Sequence, residues 1–431
     1  MSQDQQPPDK VRQLQRKLYM AAKRSETRRF HALYDRIYRL DVLRAGWEMV
    51  KRNKGAAGVD HKTIQEIEEA GVENLLRNLQ RELKQGSYQP QPLKGVLIPK
   101  PDGRQRRLGV PVIKDRIVQT ATKLLLEAIF EADFCQCSYG YRPKRKAQTV
   151  IEKIRQDINR GSNWVLEVDI QSFFDNVDHE ILLNLISRRV SDRRVTKLIR
   201  KWLKAGVMQE GHYEPSEVGT PQGSPISPLL SNIYLHYLDR IWIQRCQSIG
   251  ALYRWADDMV VLCRKSQEAR EAKRRIELVL KRLRLTLHPE KTEIISLWDG
   301  KGGFDFLGFH FRKVRFRKDH RLFFVYRWPS QKALKRIREQ IREITTKRFN
   351  LSKKVDKVIK ELNPVLRGWG QYFRIGNSSK QFGQIDQYVR RRLVLYCNRK
   401  AGGRGWGKHY TLDWFRKIGL YELTGTIAHS A

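Results

Sequence analysis

Three things are scarce in this 431-residue chain. Carboxylates are outnumbered, with 46 Asp and Glu against 85 Lys and Arg, a formal net charge of +39. Cysteine is rare: Cys135, Cys137, Cys246, Cys263 and Cys397 are odd in number and lack C-x-x-C pairing, which argues against a disulfide framework or a zinc ribbon. Long apolar runs are missing. None approaches the roughly 18 residues that span a bilayer, and the first 30 residues, with Asp4, Asp9 and Glu26 among them, hold no apolar signal core. The chain therefore reads as cytoplasmic and soluble, with no membrane partner. What is abundant matters as much. Apolar residues make up 40%, with 10 Trp, 16 Tyr and 16 Phe, which excludes a disordered basic tail. The length supports two or three domains. A charge of +39 asks for a polyanion, nucleic acid by default and an anionic membrane surface as the competitor. The excess is uneven: residues 311–431 hold 30 basic and 8 acidic side chains, a net +22.

Periodicity predicts a docked or frayed helix around Val11, Leu14, Leu18 and Ala22, and one amphipathic helix from Phe30 to Val50 (Leu33, Ile37, Leu40, Leu43, Trp47, Val50) that stops at Asn53–Gly58. A helix follows near 73–85. Leu93–Ile98 and Arg107–Pro111 read as a hairpin around Asp102-Gly103, before a helix over 114–130. Trp164–Ile170 is a short apolar strand, and Ala251–Trp255 with Met259–Cys263 forms a second hairpin around Asp257-Asp258. Further helices are expected at 178–205, 227–246 and 266–284, then at 331–348, 352–374 and 382–398. The body is α+β and the tail an α-bundle.

Asp169 ends one apolar strand, and Asp257-Asp258 tip a hairpin. An Asp-Asp pair alone would be read as a turn. Three carboxylates offered from adjacent strands can instead hold two Mg²⁺ ions about 4 Å apart, the arrangement that stabilises in-line phosphoryl displacement. Gly219–Leu230, rich in Pro and Gly, is a rigid turn opening a helix, a place that suits phosphates. Together these mark a polymerase or nuclease.

The motifs are more specific than that. Val168–Asp175 (VDIQSFFD), Thr220–Pro225 (TPQGSP) and Arg254–Asp258 (RWADD) resemble, in order and spacing, the palm motifs of reverse transcriptases. Gly55–Asp60, Val96–Gly103, Arg107–Pro111, Ser138–Pro143, Leu287–Thr292, Phe306–Phe309 and Leu362–Arg374 extend the similarity to bacterial group II intron reverse transcriptases, or maturases, over residues 30–425. The resemblance implies a right-hand polymerase (fingers and palm) followed by an all-α thumb or maturase domain. It divides the chain into a basic extension (1–30), an N-terminal loop region with fingers (31–160), a palm (161–312), a thumb (313–400) and a short basic end (401–431).

It also implies roles. Asp169, Asp257 and Asp258, with the carbonyl of Ile170, would hold two Mg²⁺ ions. Lys94, Lys100 and Arg106 would meet the triphosphate of a dNTP; whether Arg106 or its neighbour Arg107 faces the site is left open. Phe174 would exclude a ribose 2′-OH, Gln222 would line the nucleotide pocket, and Lys291 matches the lysine of the sixth block. Phe306, Leu307, Gly308 and Phe309 would grip the primer. Trp255 stands where the family usually has Tyr.

In the tail, Lys335, Arg338, Arg342, Lys353, Lys357, Arg367, Arg390 and Arg391 lie among Trp369 and Tyr372, a mixture that suits RNA phosphates and unpaired bases. Many relatives continue into an HNH-type endonuclease with cysteine pairs. Only Cys397 lies in the last 168 residues, so a form without that domain is expected. The implied activity is RNA-directed DNA synthesis, with intron RNA, an RNA template with DNA primer, dNTPs and target DNA as partners. The alternatives are a reverse transcriptase domesticated for phage defence or CRISPR spacer acquisition, and a non-catalytic splicing chaperone.

Overall fold

A computed structural model describes residues 9–99, 105–209, 212–316, 319, 322–346, 352–400 and 410–428. In chain order its elements are α1 (Asp9–Arg24), α2 (Tyr34–Ile37), α3 (Leu40–Arg52), α4 (Ile64–Ala70), α5 (Val72–Gln85), β1 (Leu93–Pro99), β2 (Gln105–Val110), α6 (Ile113–Phe130), α7 (Ala147–Asn159), β3 (Trp164–Val168), α8 (His179–Ser187), α9 (Arg193–Leu203), β4 (Val207–Gln209), β5 (His212–Glu214) and α10 (Ser227–Arg245). They continue with β6 (Ala251–Trp255), β7 (Asp258–Cys263), α11 (Ser266–Arg282), β8 (Ile294–Ser296), β9 (Gly303–Phe306), β10 (Phe309–Arg315), β11 (Phe323–Pro329), α12 (Gln331–Thr346), α13 (Val355–Phe373), α14 (Ser379–Lys400) and α15 (Leu412–Lys417). The strands form three sheets, ordered β2-β1-β4-β5, β6-β7-β3-β8 and β11-β10-β9. Among the described residues no helix is long and apolar enough to cross a membrane.

The chain divides into two compact units, 1–145 with 168–259 and 271–292, and 146–167 with 260–270 and 293–431. The first is organised around α6, which is buried on nearly all sides, against α1, α3 and α10. Gly46 lets α3 approach: a Cβ there would stand 2.8 Å from the Ile117 carbonyl. Val11, Leu14, Leu18 and Ala22 are buried, so α1 is docked.

The helix expected over 30–50 is two helices, broken where Arg39 turns extended and the Tyr38 carbonyl accepts from Gln80 Nε2 at 2.9 Å, and a tertiary contact delays its start. Phe30 bridges Val190 in an extended backbone, and the buried Asp192 accepts from the Leu33 and Tyr34 amides while capping α9 through Arg194 N. The same Asp192 cap divides the helix expected over 178–205. These donors and acceptors find better partners across the fold than in a continued helix.

In the second unit β3 pairs antiparallel with β8, Val165 opposite Ile295. β10 pairs with both β9 and β11, and α12, α13 and α14 pack on one another. The sequence reading missed this three-stranded sheet, whose polar stretch His310–Arg315 hides the strand period. Consequently the boundary expected at 312/313 falls inside β10. Asn363 and Gly370 of the tail signature hold the chain end. Asn363 bonds the Gly419 carbonyl and the Tyr421 amide at 2.8 and 2.9 Å, and a Cβ on Gly370 would stand 2.6 Å from Leu423.

Candidate active site

Asp169 follows β3 directly, and its backbone is clamped by the loop 286–292. The His288 amide donates to the Asp169 carbonyl at 2.8 Å, and Gln171 N donates to the Thr286 carbonyl at 3.0 Å. These two bonds flank the bridge Ile170–Leu287, so Ile170 occupies a non-hydrogen-bonded position and its carbonyl points away from that neighbour. The Asp169 carboxylate accepts from Lys291 Nζ at 3.3 Å.

Asp257 stands on the turn between β6 and β7, and Asp258 opens β7. Ala256 is held at φ +58°, a strained value for a residue with a Cβ, and the restraint is visible. Arg254, fully buried, donates to the Ala256 carbonyl at 2.8 Å, to Asn232 Oδ1 at 3.0 Å, to Ser138 Oγ at 2.8 Å and to both Asp239 oxygens. Asn232 in turn donates to the Gly140 carbonyl at 2.8 Å. Gly140 lies flush beneath the turn, where a Cβ would come within 2.4 Å of Ala256 N.

The three carboxylates act on one another. Burial raises the Asp257 carboxyl above its usual value; the Asp169 charge adds to this and Arg106 opposes it. Asp258 is pushed up to about 6, first by lost hydration, then by Asp257 and Asp169, against Arg106 and Lys291. Solvent reaches the Asp258 side chain, yet surrounding protein still displaces enough water to dominate that rise. Among the described residues no three His, Cys, Asp or Glu side chains converge on one point. The donors are nonetheless all oxygen, and the site is short of positive charge, a combination that fits a hard divalent cation.

Arg106, not Arg107, lies near enough for its charge to act on Asp257 and Asp258. Directly opposed strand residues share a face, and Ile98 opposes Arg106 while Leu97 opposes Arg107. Arg107 turns away to Glu214 and Gln209. Lys94 shares the Arg106 face by the same alternation. Lys100 lies outside the described residues. The Gln222 turn meets β2, with Gly109 N donating to the Gln222 carbonyl at 2.7 Å. Gly223, at φ +113°, could not carry a side chain, since its Cβ would sit 2.8 Å from the Gly109 carbonyl. Phe173 is the core aromatic, 2% exposed, whereas Phe174 is half-buried and its carbonyl accepts from Thr220 N at 2.7 Å.

Comparison with known proteins identifies this arrangement. Residues 98–311 match the model of reverse transcriptase (RNA-dependent DNA polymerase), and residues 334–414 match the group II intron maturase-specific domain. Protein YkfC of Escherichia coli K12 is 35% identical over 348 residues, covering 71% of this chain and 90% of that protein. The chain belongs to the group II intron reverse transcriptase family. The group II intron-encoded protein LtrA of Lactococcus lactis subsp. cremoris is 36% identical over 218 residues, half of this chain but only 36% of LtrA. Nuclear intron maturase 1, mitochondrial, of Arabidopsis thaliana is 37% identical over 105 residues, 24% of this chain and 15% of its own. Reverse transcriptases of this family generally use divalent metal ions.

In the maturase region some of the residues expected to face RNA also have partners within the protein. Tyr372 donates to the Leu307 carbonyl at 2.9 Å and packs on Phe309 and Phe373, and burial raises its hydroxyl to about 12. Trp369 packs on Phe373 and Phe382. Lys353 pairs with Glu361, and Arg367 covers the Tyr421 ring. Lys335, Arg342, Lys357, Arg390 and Arg391 are exposed and Arg338 half-buried, with Lys335, Arg338 and Arg342 on one face of α12. Phe306 and Phe309 are buried. Leu307 and Gly308 form the two-residue turn between β9 and β10, both at positive φ, as such hairpins require.

Two features escaped the sequence reading. One is the Arg254 network, whose only signal is Asp239 amid the apolar positions Leu235, Leu238 and Trp242 of α10. The other is Tyr141, 53% exposed at φ +56°, close enough to Asp257, Arg106 and Asp258 for their charges to act on its hydroxyl.

The raised Asp258 carboxyl has a consequence for stability. Below about pH 3 the group is protonated in folded and unfolded chains alike. As pH rises towards 6 the unfolded chain ionises first, and the folded state loses stability relative to it. Asp258→Asn is therefore expected to raise the melting temperature in EDTA at pH 8, with a gain that shrinks towards pH 4. A gain independent of pH would contradict this.

Proposed function

We propose that the chain is an RNA-directed DNA polymerase that also binds its group II intron RNA as a maturase, acting in the cytoplasm in splicing and in retromobility by target-primed reverse transcription. The observation that carries the reading is the group Asp169, Asp257 and Asp258, which share one electrostatic site with Arg106 and Lys291. These carboxylates and the Ile170 carbonyl would hold two Mg²⁺ ions. Bound there, the ions supply charge neutralisation for the attacking and leaving oxygens of phosphoryl transfer. Lys94, Lys100 and Arg106 draw the triphosphate of a dNTP towards them. Phe174 excludes a 2′-OH, and Gln222 lines the base and sugar pocket. Lys291 holds the Asp169 carboxylate in place. In the second unit the Leu307-Gly308 turn offers backbone to a primer, supported from behind by the buried Phe306 and Phe309. The exposed cations Lys335, Arg342, Lys357, Arg390 and Arg391, with Arg338 beside them, bind intron RNA, and target DNA supplies the primer end.

The intron partnership is tested by sequencing RNA that copurifies with the chain from its native cells. A structured intron, as lariat or precursor, should be the enriched species. Enrichment of bulk cellular RNA alone would overturn it.

A further inference from the structure

The first unit holds a second cationic surface that the polymerase reading does not use. Helix α9 buries Val195, Leu198, Ile199, Trp202 and Leu203 and turns Lys197, Lys201 and, at its C-cap, Lys204 the other way, at a spacing of four and three residues. These lysines line a groove of about 600 Å³, walled by Pro90, Pro92 and Tyr213, with no carboxylate among its described lining residues. Arg200 also reaches the groove but is held by Glu180. Lys201 donates to the Tyr88 carbonyl at 2.8 Å, which fixes its stem. Lys197 and Lys204 are exposed and make no ion pair among the described residues.

Tyr213 makes the groove more than a charged face. Its ring lies against Gly206, where a Cβ would stand 2.5 Å from a ring carbon. Gly206 is held at φ +69°, so this seat requires glycine. One ring face is fixed on the backbone while the residue remains 52% exposed. A flat aromatic surface beside a row of ammonium groups with no carboxylate partner among the described residues matches a nucleic-acid strand whose bases are free to leave the stack. Bases inside a duplex could not reach it. The groove adjoins β5, the outer strand of the sheet whose β1 and β2 carry Lys94 and Arg106.

We infer that the groove between α9 and the β4–β5 hairpin binds an unpaired RNA strand, with phosphates on Lys197, Lys201 and Lys204 and a base stacked on Tyr213. The choice of RNA rests on the function proposed above; the geometry supplies the unpaired, phosphate-bearing strand.

The test measures fluorescence anisotropy of the full chain with an unstructured RNA of about 20 nucleotides and with duplex DNA, over a range of salt. Lys197→Gln/Lys201→Gln/Lys204→Gln should weaken RNA binding about 10-fold or more and flatten the log–log salt slope by about 2, since each phosphate contact on a single strand contributes about 0.7. Tyr213→Ala should weaken RNA binding by about 5- to 100-fold with the slope unchanged, as expected for loss of one stacked base. An unchanged slope in the triple variant would overturn the inference. So would equal losses on duplex DNA with no effect of Tyr213→Ala. If circular dichroism shows the triple variant unfolded, Lys197→Gln alone carries the test, with a slope change of about 0.7. RNA-templated extension by the unaltered chain separates the two proposals. Slope loss without extension keeps the groove and removes the polymerase; extension with an unchanged slope does the reverse.

Discussion

Replacing Asp257 and Asp258 together by Asn is expected to reduce RNA-templated cDNA synthesis by at least about 1,000-fold, because cation-held charge at the transferring phosphoryl group supplies most of such a catalyst's rate. Asn keeps the shape of both side chains, so the hairpin should survive. RNA affinity should stay within about twofold, since phosphate contacts are made by cations elsewhere. Primer extension and anisotropy on the same preparation check both parts. The stability consequence runs the other way. Asp257 and Asp258 both have raised carboxyls, so the variant should melt higher than the unaltered chain in EDTA at pH 8. Retained polymerisation would remove these residues from the chemistry.

Arg254→Met carries the largest expected cost in stability. The Arg254–Asp239 pair has no solvent exposure on either side chain. Removing one partner of such a pair typically costs about 3–5 kcal/mol, because the other charge is left buried. Denaturant melts should show that loss. Adding Asp239→Leu should recover much of it by removing the orphaned carboxylate. Activity should not recover with it. Without the guanidinium the Ala256 carbonyl loses its hydrogen bond from Arg254, and misplacement of the two aspartates by about 1 Å is worth on the order of 100-fold in rate. Recovery of both stability and extension in the double variant would show that Arg254 only fills space.

These two predictions differ in how visible their residues were beforehand. Asp169, Asp257 and Asp258 could be read because acids at the ends of apolar strands are out of place, and the neighbouring blocks keep a recognisable order. Arg254 and Asp239 could not, because a buried ion pair is a property of two elements brought together, and each residue alone looks like surface charge. The same limit applies in the tail. Trp369 and Tyr372 lie among arginines whether or not their rings also pack on Phe309, Phe373 and Phe382, and only the folded structure shows that packing. Strand alternation could have separated Arg106 from Arg107, but only once the register Ile98–Arg106 was known. The sheet β9–β11 stayed hidden because its charged residues share strands with Phe309, Phe311 and Val325, blurring the period. The start of α2 depends on Asp192, some 150 residues further along the chain. The concentration of +22 in the last 121 residues remains a sound pointer to a polyanion, but the α9 groove shows that the milder excess elsewhere is also organised.

The most direct test of the account is extension of a DNA primer by the purified chain on an RNA template, with dNTPs or NTPs and Mg²⁺. Full-length DNA from dNTPs, little or no product from NTPs, and relaxation of that choice in Phe174→Ala are the expected results. No extension on RNA by a folded, RNA-binding preparation would contradict it.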